Sequence, residues 1–177
     1  LRTEDYYYFC QKIMQIGIIG GGAAGFFAAI TCAESNPDCT VTIFERGKSV
    51  LEKVRISGGG RCNVTHACFD PKQLVQYYPR GGKSLIGPFT RFNPTHTIEW
   101  FNQRGVELKT EGDGRMFPVT DNSETIVNCL LRTAIDAGVK VQTATGATAL
   151  LKVEDGWQVS ISDNTQVIAD AVMIATG

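Results

Sequence analysis

The spacing of apolar positions predicts alternating strands and helices near the start of the chain. Gln15–Ile19 is a short isoleucine-rich run, typical of a buried parallel strand. Ala23–Glu34 repeats apolar residues at helical spacing, and Asn36–Asp38 interrupts that pattern. Val41–Phe44 predicts a second strand. The order predicts a strand–helix–strand unit whose helix buries one face, formed by Phe26, Ala29, Ile30 and Ala33.

Capping residues predict two helices in the middle of the chain. Asp70 followed by Pro71 is typical of a helix start, and this helix is predicted to run through Tyr77. Asn93–Pro94 predicts a second helix through Arg104, ended by Gly105. The intervening stretch 80–83 is basic and contains glycine, which favours a solvated turn over a phosphate site.

The next stretch predicts a strand, a hairpin and a helix start. Val106–Lys109 predicts the strand, and residues 111–118 predict the hairpin. Arg115 and Phe117 in that hairpin are equally consistent with contacts to a ligand and with a turn stabilised by its own charges. Residues 121 and 124 form an Asp/Glu pair with capping-box spacing, which predicts that a helix begins there.

The remaining pattern predicts a helix followed by strands. The helix ends at Gly138, and its inner face comprises Ile126, Val127, Leu130, Leu131 and Ala134. A strand follows at residues 140–142. A three-stranded antiparallel meander is then predicted over Thr148–Val153, Trp157–Ser162 and Gln166–Ala169. Ala171–Gly177 predicts a buried strand that returns beside the first strand.

A glycine motif lies at the first strand-to-helix junction. Gly20, Gly22 and Gly25 have the spacing that permits a tight turn, a close pyrophosphate and close helix–strand packing, respectively. Glu45 follows Gly25 by 20 residues, at the end of the second predicted strand, where a carboxylate can bind ribose hydroxyls. We therefore predict a dinucleotide site. The alternative is a glycine-rich turn with a surface glutamate.

A second glycine cluster predicts a loop laid against a cofactor. Gly58, Gly59 and Gly60 can adopt positive φ, and their N–H groups can form an anion-binding concavity. Ser57, Arg61, Asn63 and Thr65 add hydrogen-bond donors nearby. The alternative is a flexible surface loop. Cys62 beside Arg61 suggests a redox nucleophile, but no CxxC pair is present and a structural role is favoured.

Composition narrows the class of protein. The 177 residues are 43% hydrophobic and 20% charged, as in ordinary soluble domains, and the net charge is −1. This balance predicts neither a nucleic-acid nor a membrane partner. Six cysteines without metal or disulfide spacing predict a reducing cytoplasm. His66 and His96 stand alone, so no metal site is expected.

The order of these motifs resembles that of two-dinucleotide-fold flavoproteins of the glutathione-reductase type. SGGGRCNVT at residues 57–65 and GRMFP at residues 114–118 resemble signatures of the BaiN-like, or aminoacetone-oxidase-like, NAD(P)/FAD-dependent oxidoreductases. Ala175–Gly177 resembles the start of the segment that closes the FAD domain. The resemblance implies an α/β, Rossmann-like FAD-binding domain with an antiparallel three-stranded meander.

The resemblance also implies a set of cofactor contacts and an activity. It places the pyrophosphate on the first glycine motif, the adenosine ribose at Glu45 and Arg46, and adenine at the backbone of Ala147. It implies a flavoprotein that transfers hydride through FAD between a small-molecule substrate and, as a candidate reductant, NAD(P)H. It identifies no catalytic acid or base. The full implied cofactor set is Gly20, Gly22, Ala23, Ala24, Gly25, Glu45, Arg46, Lys53, Ser57, Gly58, Gly59, Gly60, Arg61, Cys62, Asn63, Ala147, Ala175, Thr176 and Gly177.

Length is the departure from this family, whose members are about twice as long. We expect residues 14–177 to be the N-terminal part of the FAD-binding domain, truncated before the substrate-side domain and inactive alone. Residues 1–13 are interpreted either as a leader or expression-vector remnant, or as an ordinary N-terminal arm. Two alternative functions remain, an NAD(P)-dependent dehydrogenase and a non-catalytic dinucleotide-binding module. The substrate and the oligomeric state are not indicated.

Overall fold

The computed structural model describes residues 13–177. The interpretation of residues 1–13 as a leader or an arm therefore falls, apart from Ile13, outside the described part. The helices and strands, in chain order, are β1 (Gln15–Ile19), α1 (Ala23–Ser35), β2 (Thr40–Phe44), α2 (Glu52–Gly60), β3 (Thr65–His66), α3 (Pro71–Leu74, continued by a 3₁₀ turn at Val75–Tyr77), α4 (Gly82–Arg91), α5 (Pro94–Asn102), β4 (Leu108–Thr110), β5 (Arg115–Pro118), α6 (Ser123–Asp136), β6 (Lys140–Gln142), β7 (Ala147–Val153), β8 (Gly156–Ile161), β9 (Gln166–Ala169) and β10 (Ala171–Ile174).

A parallel sheet of order β10-β1-β2-β6 forms the centre of the fold. β1 pairs in parallel with β2 and with β10, and β2 pairs in parallel with β6. The predicted return of the last strand beside the first is therefore confirmed. Ile18 and Ile43 are 2% and 0% exposed, because a parallel strand at the centre of an α/β fold is covered on both faces.

Helices cover one face of this sheet. The predicted apolar stripe of α1 is buried, with Phe26, Ala29 and Ile30 fully inside the core. These residues join Val127 and Ala134 of α6 in the main apolar cluster. The helical periodicity correctly predicted the buried stripe of α1 and four of the five inner residues of α6, whereas Leu131 is only partly buried against the core.

The antiparallel sheet β7-β8-β9 covers the opposite face. Its register confirms the predicted meander, and β7 begins one residue earlier than predicted. A second buried cluster joins the two sheets through Ile19, Phe44, Val159 and Ile161. The α/β fold with an inserted three-stranded meander is therefore as predicted.

The segment between α2 and α6 contains a small sheet and three helices. The order β3-β5-β4 places the predicted hairpin at residues 108–118. Asp70 and Asn93 cap α3 and α5, as predicted, through side-chain bonds from Gln73 N and Thr95 N. The predicted strand Val106–Lys109 is observed at Leu108–Thr110.

Three details of the sequence interpretation are wrong. The stretch 80–83 is not simply a turn, since α4 starts at Gly82. The cap of α6 is Asn122, whose side chain accepts from Glu124 N; Asp121, with φ +52°, lies outside the helix. The final strand is not buried: Met173 and Ile174 are 40% and 65% exposed, since among the strands of residues 13–177 β10 pairs only with β1 and forms an edge of the sheet.

Candidate functional site

We call the turn between β1 and α1, at residues 20–25, the glycine corner. Its three motif glycines lie in different environments. Gly20 has φ +113°, and a β-carbon there would lie 2.5 Å from the Ala175 carbonyl oxygen. A β-carbon on Gly25 would overlap the Gly20 carbonyl oxygen, so helix and turn pack in direct backbone contact. A β-carbon on Gly22 would meet no atom within 4 Å. The corner is thus tight at its two ends and open at its middle glycine.

The first turn of α1 presents unpaired donors at this opening. Gly22 is the N-cap, and among the described residues no side chain caps the helix and its first turn carries no acidic residue. The first N–H groups of a helix have no acceptor within the helix. Together with the positive end of the helix dipole, they make the opening favourable for an anion.

Glu45, at the end of β2, is bonded to two backbone segments. Its Oε2 atom accepts from Gly21 N at 2.7 Å, and its Oε1 atom accepts from Gly47 N at 2.6 Å. These charge-assisted bonds fix the carboxylate at the rim of the glycine corner. The next side chain, Arg46, packs against Gly146, where a β-carbon would lie 3.0 Å from the Arg46 Cγ atom.

A cavity of about 820 Å³ opens at this corner. Its walls come from the start of α1, the end of β2, α2, the β3 and α5 regions, α6 and the residues after β10. Lys53 extends toward the last of these, with Nζ 3.3 Å from a β-carbon built on Gly177. The structure brings together at the cavity the predicted site residues Gly22, Ala23, Ala24, Glu45, Arg46, Lys53, Ser57, Cys62, Asn63, Ala175, Thr176 and Gly177.

The second glycine cluster has the backbone conformation that the sequence predicted. Gly58, Gly59 and Gly60 all have positive φ, between +57° and +86°. A β-carbon on Gly58 would lie 2.7 Å from the Phe117 ring, whereas Gly59 and Gly60 face open space. Within the described residues, none of the three glycines lines the cavity. They reverse the chain between Ser57 and Cys62, both of which do line it.

Arg61 points away from the cavity and toward the β4–β5 hairpin. Its guanidinium lies 4.0 Å from the centre of the Phe117 ring and pairs with Glu111 and, at 3.5 Å, with Asp121. A hydrogen bond from Lys109 is the main cause that lowers the pKa of Asp121, so that carboxyl group stays ionised. Arg61 therefore anchors the second glycine loop on the hairpin.

The contacts of the hairpin bear on the two interpretations of Arg115 and Phe117. Phe117 is fully buried, beneath Arg61. Arg115 donates from Nε to Asp113 at 2.7 Å and pairs with Glu111. Both side chains are engaged within the hairpin and its neighbouring loop, which favours a turn stabilised by its own charges.

Cys62 has the surroundings of a structural thiol. It is 6% exposed, has φ +62°, and its N–H donates to Ser57 O at 3.0 Å. Burial raises the pKa of the thiol, although a hydrogen bond with Ser57 opposes part of this shift. The thiolate form is disfavoured, so the arrangement does not activate Cys62 as a nucleophile.

Three further predicted residues, Gly20, Gly25 and Ala147, lie near the cavity without lining it. Gly20 and Gly25 form the corner behind it. Ala147 starts β7 and packs against the buried cluster of Ile19 and Phe44. Asn63, by contrast, lines the cavity. With its amide oriented so that the nitrogen faces two carbonyl groups, its side chain donates to Thr65 O at 2.9 Å and to Met116 O of β5 at 3.2 Å.

The cavity also has walls that sequence reasoning missed. Phe27 lies one turn after Ala23 and Ala24 on α1, so helical spacing could have placed it on the same face. Gly21 and Val64 lie inside the two glycine motifs, which could have marked them. Phe92, Thr97, Phe101, Ile126 and Leu130 carry no such signal, because they come from segments far from those motifs in the chain. The remaining missed residues are Gly21, Ser49, Leu51, Glu52, Val54, Val64, Phe92, Thr97, Phe101, Ile126 and Leu130.

Residues 13–177 contain neither a membrane-spanning helix nor a metal-binding cluster. In that range no helix combines the length and apolar character needed to cross a bilayer. Nor do three His, Cys, Asp or Glu side chains come together there as a metal-binding group.

Two curated relatives cover most of the chain. The 3-dehydro-bile acid delta(4,6)-reductase of Clostridium scindens is 31% identical over 163 residues, which are 92% of this chain and 39% of the relative. The ribosomal RNA dihydrouridine synthase of Escherichia coli is 28% identical over 160 residues, which are 90% of this chain and 38% of the relative. The chain thus spans about two fifths of the length of the curated relatives it matches.

A solved structure with the same fold is the 3-ketosteroid-delta4-(5alpha)-dehydrogenase of Rhodococcus jostii RHA1. The superposition covers 100% of this chain and 49% of the dehydrogenase chain, with a TM-score of 0.67 and 14% sequence identity. This similarity shows a shared fold alone. The model of the HI0933-like protein Rossmann domain matches residues 14–177. The chain therefore belongs to the HI0933-like Rossmann-domain family, whose cofactor is FAD.

Proposed function

We propose that the cavity holds FAD with its diphosphate at the first turn of α1. The observation that carries this proposal is the coincidence of an uncapped helix N-terminus with an open Gly22 in the cavity wall. A diphosphate can approach the bare backbone there and accept from N–H groups that have no partner within the helix. The residues present therefore fit the phosphates of a dinucleotide.

The adenosine half is assigned to the end of β2. Each Glu45 oxygen already accepts one backbone N–H, and an ionised carboxylate has further lone pairs for ribose hydroxyls. Arg46 packs on Gly146, immediately before Ala147, which supports a place for adenine between the Arg46 side chain and the Ala147 backbone. Glu45 would orient the ribose, and Arg46 would cover the base.

The flavin half is assigned to the part of the cavity wall that comprises Lys53, Ser57, Cys62 and Asn63 together with the segment Ala175–Gly177. Lys53 Nζ lies 3.3 Å from a β-carbon built on Gly177. Lys53 supplies a positive charge there. We assign the glycines at 58–60 and Arg61 an indirect role, because their contacts shape the loop and fasten it to the hairpin.

We further propose that residues 14–177 are the FAD-binding part of an oxidoreductase that acts on a small molecule. Bound FAD supplies a hydride acceptor and donor at its N5 atom. The chain's own residues bind the cofactor, orient it and exclude water from one of its sides. The name reductase of the C. scindens relative supports this class of reaction. NAD(P)H is kept as the candidate reductant that the family resemblance implies. The two relatives are named for different substrates, so neither substrate is assigned here.

We also propose a cellular compartment and a class of partner that the protein does not bind. Five cysteines in the described part of the chain are free, namely Cys32, Cys39, Cys62, Cys68 and Cys129, which supports a reducing cytoplasm. With a net charge of −1, the chain has no excess of basic side chains for neutralising nucleic-acid phosphates. We therefore propose that it does not bind nucleic acid.

Titration of the purified chain with FAD, ADP and NADH tests the cofactor assignment. We expect one FAD per chain, weaker binding of ADP, which carries only the adenosine diphosphate half, and the weakest binding of NADH. Saturable binding of NADH without FAD would replace this proposal by the NAD(P)-dependent dehydrogenase. Absence of FAD binding from a folded chain, as judged by circular dichroism, would refute it.

A further inference from the structure

The cavity has an apolar arm that the cofactor assignment does not use. We define this apolar arm by its six wall residues from α1, the β3 and α5 regions and α6. The charged residues of the cavity wall come instead from the stretch 45–53, so in the described chain the arm has no charged lining residue. The six residues are Phe27, Val64, Phe92, Phe101, Ile126 and Leu130.

Aromatic contacts hold the walls of the apolar arm in place. The Phe27 ring meets Phe92 edge-to-face at 5.3 Å and lies 5.2 Å from Trp100. Phe92 stacks on His96 at 5.6 Å. Phe92 nevertheless remains 41% exposed. A large ring fixed by its neighbours and still exposed in a cavity is suited to covering a ligand, since little side-chain freedom remains to be lost.

The apolar arm adjoins the second glycine loop. Cys62 of that loop belongs to the same buried cluster as Phe101, Ile126 and Leu130. Ser57 and Cys62 line the cavity from the loop side. A molecule in the apolar arm would therefore lie next to the wall that we assign to the flavin half of FAD.

We propose that the apolar arm binds the uncharged, apolar ring system of the substrate beside the flavin ring. This inference rests on the proposed FAD site. Contact with an apolar ring would remove the apolar walls from water, which is favourable. A phosphate or a ribose placed there would lose its hydrogen bonds to water, and the apolar walls offer no hydrogen bonds to replace them. Thr97 of α5 also lines the cavity, and its hydroxyl makes a long 3.4 Å bond to Asn93 O. We assign this hydroxyl as a hydrogen-bond partner for one carbonyl or hydroxyl of such a ligand.

Binding of N-phenyl-1-naphthylamine, a neutral aromatic probe that fluoresces in apolar surroundings, tests the inference. The probe is titrated into the FAD-loaded chain and into the FAD-free chain. We expect one saturable site in both, and we expect Phe92→Ala to weaken probe binding about tenfold through loss of a covering ring. Thr97→Arg, which would place a charge at the apolar arm, is a second variant with the same expected loss. Ile135→Ala is the matched control, because Ile135 is 72% exposed on α6 and does not line the cavity.

The outcomes separate this inference from the proposed function. Stoichiometric displacement of the probe by FAD would show that the flavin itself fills the apolar arm, and would overturn the inference. Equal probe affinity in the wild type and both arm variants, or no saturable binding to the wild type, would overturn it as well. FAD affinity is followed separately by flavin fluorescence, so failure of FAD to bind would overturn the proposed function and be recognised as such.

Discussion

Replacement of Gly22 by alanine tests whether the open glycine is the seat of the diphosphate. Gly22 has φ −86° and ψ −176°, a conformation that alanine adopts, and the new methyl group would meet no protein atom within 4 Å. We therefore expect the free energy of unfolding of the FAD-free chain to change by at most about 1 kcal/mol, the sum of a weaker cap and a less flexible unfolded chain. For a chain of this size, that is a shift in Tm of about 4 °C or less.

The effect on cofactor binding should be much larger. The methyl group would project from the cavity wall at the point where phosphate oxygens accept from the first turn of α1. Moving the diphosphate away would cost one charge-assisted hydrogen bond, worth roughly 1.5–3 kcal/mol. The dissociation constant for FAD should rise roughly 10- to 100-fold.

Two further glycines provide the comparison. Gly112→Ala is the matched control, since it also meets no atom within 4 Å, has no positive φ and lies outside the cavity wall. We expect it to leave both Tm and FAD affinity unchanged. Gly25→Ala should instead prevent folding, because its methyl group would overlap the Gly20 carbonyl oxygen. Flavin fluorescence gives the affinities, and thermal melting gives the stabilities. Wild-type FAD affinity in folded Gly22→Ala protein would refute the assigned position of the diphosphate.

Three other predictions concern the rim and the loop. Phe117→Leu removes the ring beneath Arg61 and should weaken FAD binding several-fold while ADP affinity is kept; equal losses for both ligands would contradict an action through the loop. Glu45→Gln should lower the free energy of unfolding by roughly 1.5–3 kcal/mol in urea titrations, because an amide has one acceptor oxygen and cannot accept from both Gly21 N and Gly47 N through separate atoms. Since burial raises the pKa of Cys62, its alkylation by iodoacetamide at pH 8 should be slow when folded and fast in urea; rapid labelling of the folded chain would contradict a structural thiol.

Local patterns were sufficient to predict the central sheet and the glycine corner. The isoleucine-rich β1, the helical stripe of α1 and the turns of the meander each follow from residues close together in the chain. The three glycines of the corner also impose local constraints, since one needs positive φ, one needs backbone contact and one needs open space. Such requirements can be inferred from spacing alone.

Elements that depend on distant partners could not be predicted in this way. α4 contains Gly87 and Pro88, both poor helix residues, and begins after Gly81 at φ +68°. It forms against α3 and the 3₁₀ turn, with Tyr78 and Phe89 in ring contact at 5.5 Å. The exposure of β10 likewise depends on the strand order of the sheet. A short apolar run has the same sequence pattern in a central strand and in an edge strand, so the pattern does not predict which of the two it forms.

The second glycine loop shows why a motif alone does not predict which of its residues face a ligand. Ser57 and Cys62 line the cavity, whereas Arg61 stacks on Phe117, which is distant in the chain. Pairing of β3 with β5 brings these stretches together, and a β-carbon on Gly58 would collide with the Phe117 ring. The two signature motifs SGGGRCN and GRMFP thus form one packed unit. A substitution in the hairpin should therefore reach the cavity through the position of the loop, which explains why Phe117, although fully buried, is expected to affect FAD more than ADP.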